Sequence, residues 1–511
     1  MIGAGIVSLL GYTLFFVFLL ALTSGVMYSA YVFMLRRKYA HIPSAKLART
    51  SFFMGHYPTI REHMKNNDCP LAGVLYEWYK EFGLVFCVHV LHNTFVVCLD
   101  SKVVKMVMTN SKHTKPTVEY SPFQSLFGTR FVGRSLVSET DHSRWAKRRA
   151  LFNPAFHRQY LKGLMNIFNE SADQLVQDLM KKSDGETVVA MGDKFNMITL
   201  DVIGKVGFGL DLDILEDSNT PFPKAATKAL QGLQKSLLAP WYSFNLTSNA
   251  RTFREEARDA CRLLRQIGRD CILQRKEARA RGDEVPRDIL TYLLDASEEL
   301  KGDQVFGLEE MIDEFVTFFI AGQETTGNHL SFTLQQICRH PDVLKKILVE
   351  LEEVLGDRAY VEYSDLAKLE YLMLVMKESM RQFPPVSGGS RVLAHEIECC
   401  GYTLPKGTRV RVNHFIMGKM ELYFDDPDEF RPERFKSSDE KPRHLYAYFP
   451  FSLGQRTCIG QPMAMMETRV ILAKLLRRFT FQLVPGQRFG LKTELTNKPI
   501  DGCKTYISLR E

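Results

Sequence analysis

Residues 1–35 contain no Asp, Glu, Lys or Arg, and Arg36, Arg37 and Lys38 then arrive together. A bilayer core needs about 20 apolar residues in a helix, so this stretch is long enough to span once. A cleaved signal peptide would want basic residues first and a shorter apolar core, so a retained single-pass transmembrane helix fits better. Residues 36–50 then read as a basic linker containing His41-Ile42-Pro43-Ser44, and residues 51–511 as one globular domain. Between Leu84 and Leu99 the chain is β-branched and aromatic (Val85, Phe86, Val88, Val90, Thr94, Val96, Val97), which predicts paired strands. From about Asp141 to Gln382 the apolar spacing is mostly helical, as in Ala257 to Arg281. Strand signals return from Arg391 to Val412 and from Phe479 to Leu509. The expected fold class is mainly α with small β-sheet regions (α+β), preceded by the apolar helix.

The spacing predicts one long helix over Leu308 to Arg339, ended by His340-Pro341. Inside its apolar run sits Ala321-Gly322-Gln323-Glu324-Thr325-Thr326. Gly322 costs about 1 kcal/mol relative to Ala in a helix, and Glu324 and Thr325 are polar where burial is expected. Local rules failing together at one place point to a functional site; a kink with satisfied polar groups is the plainer alternative.

Composition narrows the class. Hydrophobic residues make up 45% and charged residues 24%, which excludes a disordered chain. A net charge of +7 over 511 residues is no nucleic-acid footprint; it suits a basic face meeting an acidic partner or anionic lipid. The ten cysteines form no CxxC pair, so neither a zinc module nor a disulfide scaffold is indicated.

One cysteine stands apart. In Phe451-Ser452-Leu453-Gly454-Gln455-Arg456-Thr457-Cys458-Ile459-Gly460, Cys458 precedes a helix-like run from Pro462 to Arg478. A helix N-terminus favours a thiolate, and backbone N–H donors around a sulfur tune the metal it binds. Gly454 and Gly460 allow close approach to a flat ligand, and Arg456 can reach a carboxylate on it. The segment matches F-x-x-G-x-R-x-C-x-G at every specified position, a chance event of order 10⁻⁴. It resembles the cytochrome P450 (haem-thiolate) family. Three further matches fall in that family's order. They are Trp145 and Arg149 (W-x-x-x-R), the Ala321–Thr326 motif, and Glu378-Ser379-Met380-Arg381 (E-x-x-R) followed by Pro432-Glu433-Arg434-Phe435.

The resemblance implies the cytochrome P450 fold, with residues 51–511 as the catalytic domain. It also implies haem b (iron protoporphyrin IX), with Cys458 as axial iron ligand and Trp145, Arg149, Arg391 and Arg456 supporting the haem. Glu378, Arg381 and Arg434 would form a buried network, and Thr325 with Glu324 would deliver protons; Gly322 would leave room for O₂ and kink the helix. The chain has no GxGxxG fingerprint, so NADPH would act only through a flavoprotein, NADPH–cytochrome P450 reductase. Arg144, Lys147, Arg148, Arg477 and Arg478 would dock it, or are merely solvated. Stretches such as Leu483-Val484-Pro485-Gly486-Gln487-Arg488-Phe489-Gly490-Leu491 look most like the cholesterol 24-hydroxylase subfamily. That implies side-chain hydroxylation of a lipophilic sterol, at the endoplasmic reticulum membrane with the catalytic domain cytoplasmic. The expected pocket residues are Phe127, Phe131, Leu136, Phe318, Ala321, Val386 and Thr496. A fatty-acid or retinoid hydroxylase is the alternative, with Arg130 and Arg134 as carboxylate anchors. An O₂-independent isomerase and a non-catalytic sterol sensor or carrier are further alternatives. The Trp-bearing stretch Leu237 to Phe244 is read as a second membrane contact or a buried corner.

Overall fold

The apolar first segment forms a single helix, Ile2–Lys38, whose stretch Tyr12–Lys38 is long and apolar enough to cross a membrane. The structure, a computed structural model, describes residues 2–47, 51–66, 69–212, 214–215, 220–238, 242, 247–299, 306–436 and 446–510. Of the stretch Leu237 to Phe244, residues 239–241 and 243–244 lie outside the described residues.

The expected linker over residues 36–50 is corrected at its start. Arg36–Lys38 are the last turn of the helix, and the chain then docks on the body at once. Val32, Tyr39 and Ile42 are buried, Tyr28 stacks on Phe53 with ring centroids 5.9 Å apart, and the Arg36 guanidinium lies 5.1 Å from the Phe52 ring centroid. The Pro43 carbonyl accepts from Cys87 N (2.7 Å), extending the contact onto the sheet. Apolar side chains at positions 32, 39 and 42 make docking more favourable than a solvated tether.

Val85–Val90 and Asn93–Cys98 pair antiparallel, as the β-branched alternation predicts. Asn93–Cys98 continues parallel to Arg409–Asn413, which pairs antiparallel with Gly388–Val392 to complete a four-stranded sheet. A second sheet joins Phe479–Leu483, Lys504–Leu509 and Val189–Ala190, and a small hairpin joins Leu491–Thr493 to Asn497–Pro499. Between these lie the helices, in the expected order.

The helix Leu308–Arg339 runs unbroken through the core, and Pro341 opens the next helix, Pro341–Leu355. Phe315 and Phe319 are fully buried and pack with Phe208 of the helix Met191–Phe208. Gly322 lies against that same helix: a Cβ on it would sit 3.0 Å from Ile203 Cγ1. The glycine therefore serves close helix–helix approach.

Glu378 and Arg381, on the helix Glu370–Gln382, are both fully buried and paired twice at 2.8 Å. Glu378 Oε1 also accepts from Arg434 Nε (3.0 Å) and Arg431 N (2.9 Å). Arg381 Nη1 donates to the Gly418 (2.5 Å) and Pro427 (2.7 Å) carbonyls, and Arg434 Nη1 to the Asp425 carbonyl (2.7 Å). This network ties the helix to the long segment leading to the cysteine loop, and every charge in it is answered.

Candidate functional site: a thiol facing a buried basic rim

Cys458 follows a tight turn, Gly454–Arg456, and precedes the helix Gln461–Arg478. Its amide donates to the Phe451 carbonyl (2.8 Å), and Thr457 Oγ1 to the same oxygen (3.1 Å), closing the loop. Ser452 (φ 68°) and Gly454 (φ 70°) hold left-handed conformations. A Cβ on Gly454 would meet the Met108 carbonyl oxygen at 2.8 Å, so only glycine allows the loop to lie that close. Arg149, on the helix His142–Phe152, donates to the Thr457 carbonyl (2.8 Å) and places its charge beside the sulfur. The Gly460 and Gln461 amides and Arg149 favour the thiolate of Cys458.

The sulfur opens into a cavity of about 290 Å³. Thr325 and Thr326 of the central helix line it, as do Pro385, Val386 and Gly389 on the segment leading into the strand Gly388–Val392. On another side Lys115, Arg391 and Arg456 converge. Lys115 Nζ donates to the Val137 carbonyl (2.5 Å), Arg391 Nη1 to Ser390 O (2.9 Å), and Arg456 Nη1 to Glu139 O (2.6 Å). Among the described residues none of these three cations pairs with a carboxylate. Burial, then the neighbouring Arg391 and Arg456, holds Lys115 well below its ordinary range. Burial and then Arg391 bring Arg456 down to about 10. One buried and two half-buried cations without a carboxylate among the described residues make an anion-seeking wall. Among the described residues His414 Nε2, also at the cavity, is buried without a hydrogen-bond partner. Haem is the group the resemblance implies. One accessible thiol, an apolar slot and a basic rim matched to two propionates fit it.

Trp145 is buried with the Arg456 guanidinium 4.3 Å from its ring centroid, so it braces the basic rim. Arg149 braces the cysteine loop rather than joining that rim. Thr325 Oγ1 donates to the Ala321 carbonyl (2.6 Å), and Ala321 is exposed within a helix otherwise mostly buried. Glu324 turns toward the C-terminal hairpin, 3.7 Å from Lys498 Nζ.

The proposed pocket residues are not all brought together. Val386 lines the cavity and is 44% exposed. Phe318 packs between Phe152 and Phe156 (centroids 5.1 and 5.8 Å), and Phe131 is fully buried in the core. Phe127, in a left-handed turn (φ 48°), lies under the Arg254 guanidinium. Leu136 gives its amide to Glu314 (3.0 Å). Thr496 Oγ1 accepts from Asn328 Nδ2 (3.0 Å) and is buried in a polar network. Arg130 is corrected as a carboxylate anchor: it pairs bidentately with the buried Asp313 (2.9 and 2.7 Å), which also accepts from Arg134 N and Arg265. Three of the five expected docking cations have protein partners, among them Arg144, whose Nε lies 3.4 Å from Glu139 Oε2. Arg148 is 14% exposed beside Glu314, and Arg477 donates to the Arg358 carbonyl (2.6 Å). Arg144, Lys147 and Arg478 stay exposed. Sequence reasoning missed Lys115, Tyr120, His414 and Lys498, which no local pattern marks.

Comparison with known proteins agrees with this geometry. The cytochrome P450 family profile matches residues 48–501. Cytochrome P450 4V2 of Mus musculus is 30% identical, over 80% of this chain and 78% of its own. Cytochrome P450 4d2 of Drosophila melanogaster is 29% identical over 80% and 82%, and cytochrome P450 3A9 of Rattus norvegicus 28% over 81% and 82%. A crystal structure of the cytochrome P450DA heme domain has the same fold, with a TM-score of 0.79, 22% identity, and coverage of 92% of this chain and 97% of that one. A cysteine loop open to a cation-rimmed slot, in a fold and sequence shared with these proteins, places the chain in the cytochrome P450 family of haem-thiolate monooxygenases.

Proposed function

We propose that this chain is a membrane-anchored haem-thiolate monooxygenase that hydroxylates a lipophilic, sterol-like substrate with electrons from an NADPH-dependent reductase. The observation that carries the reading is the cavity itself, with Cys458 and Thr325 on its walls and a rim of cations lacking carboxylates. When bound through a thiolate, haem supplies O₂ activation, which a histidine ligand would favour less. The chain's part is to hold the group and manage protons. Cys458 would hold the group through its sulfur, kept in place by the loop bonds and by Arg149. Arg391, Arg456 and Lys115 would receive its propionates, with Trp145 bracing Arg456. Thr325 presents a hydroxyl to the cavity and Glu324 stands one residue before it as its acid.

The sterol reading rests on the stretches resembling the cholesterol 24-hydroxylase subfamily, a name that none of these relatives bears. One structural observation weighs against a fatty acid: Arg130, one of its two candidate carboxylate anchors, is already paired with Asp313, which leaves only the exposed Arg134 for that role. The apolar helix supports residence in a bilayer, and the basic cluster that follows it favours a cytoplasmic body at the endoplasmic reticulum.

The test is a spin-state titration of the ferric protein with a panel of sterols, retinoids and fatty acids, followed by product analysis with reductase and NADPH. A high-spin shift and side-chain hydroxylation with sterols alone support the proposal. The same response to fatty acids and to no sterol removes the substrate class while leaving the monooxygenase.

A further inference from the structure

Glu324 has a partner outside its own helix. The hairpin Leu491–Thr493/Asn497–Pro499 is clamped beside the cavity by Asn497: its amide donates to Pro385 O (2.7 Å), and its Nδ2 to Pro384 O (2.7 Å) and Ser387 Oγ (2.8 Å). That clamp carries Lys498 to within 3.7 Å of Glu324 Oε1. Lys498 also pairs with Glu494 on the hairpin turn, and Glu494 lies 3.6 Å from Lys492. The Lys498 side chain is 23% exposed and Glu324 12%, so the row Glu494–Lys498–Glu324 leads from solvent inward. Among the described residues Glu324 Oε2 is buried without a hydrogen-bond partner.

We propose that Lys498 is a positioning residue for proton delivery: from the C-terminal hairpin it holds the Glu324 carboxylate in place and supplies its counter-charge, while Glu494 draws that charge back toward solvent. This rests on the monooxygenase reading above. A carboxylate left alone at this depth would take up a proton and keep it. A lysine at 3.7 Å lets it release one, so that it can pass protons toward Thr325 and recover them from the solvent side. Burial is the main influence pushing the Glu324 carboxyl up; Lys498 and the Thr496 hydroxyl oppose it, and Glu494 adds to it. The charged groups facing Glu324 are thus Lys498 and Glu494, both from the hairpin. The packed helix Met191–Phe208 presents the neutral Thr199, bonded to Gln323 O (2.8 Å), and Asn196.

The experiment follows the carboxyl stretch of Glu324 by infrared difference spectroscopy of the full-length ferric protein across pH, with the Glu324→Gln variant identifying the band. Lys498→Met should move the midpoint up by about one pH unit, the size expected for losing an opposite charge at this range. Glu494→Gln should move it down, and Lys498→Arg should restore it. The pH profile of product formed per NADPH should follow the same three directions. An unmoved midpoint in Lys498→Met, or shifts of the same sign for Lys498→Met and Glu494→Gln, would overturn the proposal. Because the infrared titration needs no substrate, it decides the role of Lys498 even where the substrate class proves wrong.

Discussion

Replacing Glu378 with Gln keeps the shape of the side chain and removes its charge. In the native protein its two oxygens receive four donors: two from Arg381, one from Arg434 and the amide of Arg431. Glu378 and Arg381 are fully buried and the Arg434 side chain is 7% exposed, so water cannot take the place of the carboxylate. Removing one partner of a buried ion pair costs about 3–5 kcal/mol, because the remaining charge is left uncompensated. Carbonyls of Gly418, Pro427 and Asp425 still receive donors from the two arginines, which places the expectation near about 3 kcal/mol. That is a large part of a domain's usual stability of about 5–15 kcal/mol. The control is Lys80→Met, which breaks the Lys80–Glu77 pair at 3.1 Å whose side chains are 52% and 49% exposed; pairs of that kind contribute about 0–1 kcal/mol. Urea unfolding of haem-loaded protein, read by far-ultraviolet circular dichroism, compares the three. A Glu378→Gln midpoint no lower than that of Lys80→Met would refute the view that the network holds the cysteine segment.

Cys458→Ser should abolish the red-shifted Soret band of the ferrous–CO complex, and its persistence would assign the ligand to another cysteine. Thr325→Ala should leave substrate affinity nearly unchanged and divert reduced oxygen to peroxide, with product formation falling roughly 10²-fold or more; unchanged product per NADPH would make the motif structural only. Burial, then the neighbouring His56, holds His89 down to about 4. The unfolded chain therefore binds a proton from about pH 6.5 downward that the folded protein refuses. As pH falls between those values His89 should contribute a loss of about 1.4 kcal/mol per pH unit, and His89→Gln should lessen the slope of pH-dependent urea unfolding by that amount, leaving the shares of His56, His113, His329 and His414. Gly133 (φ 48°) leaves the space into which Asp313 fits, since a Cβ there would lie 2.0 Å from Asp313 Oδ2. Gly133→Ala should cost at least about 1–3 kcal/mol and speed proteolysis of the loop around Arg130.

Elements that local pattern determines are legible in the sequence alone. The paired strands from Val85 to Cys98 and the helix Leu308–Arg339 follow from alternation, helical period and a terminating proline. Cys458 and the Glu378–Arg381 pair are legible because their chemistry is carried within ten or fewer residues. The pocket is not. An aromatic such as Phe318 gives the same signal on a buried helix whether it faces a cavity or, as here, Phe152 and Phe156. Lys115 and Lys498 reach the site by long-range packing, and a lone lysine near a proline carries no local mark. Gly322 defeats a local reading for a related reason: its partner, Ile203, lies on another helix.

The junction between the apolar helix and the body has a mechanical consequence. The helix runs through Lys38 without interruption, and Tyr39 and Ile42 are seated on the body directly after it. With the helix in a bilayer, the depth of the body and its heading about the helix axis become one variable, like the advance and angle of a screw. One residue inserted between Gly25 and Val26, ahead of the docked Tyr28 and Val32, would turn the body by about 100° and move it about 1.5 Å along the axis. Seven inserted residues would return the heading almost to its starting value while raising the body about 10 Å. A ladder of such insertions separates how far the cavity stands from the lipid from which way it faces, two quantities that a flexible tether would have left free.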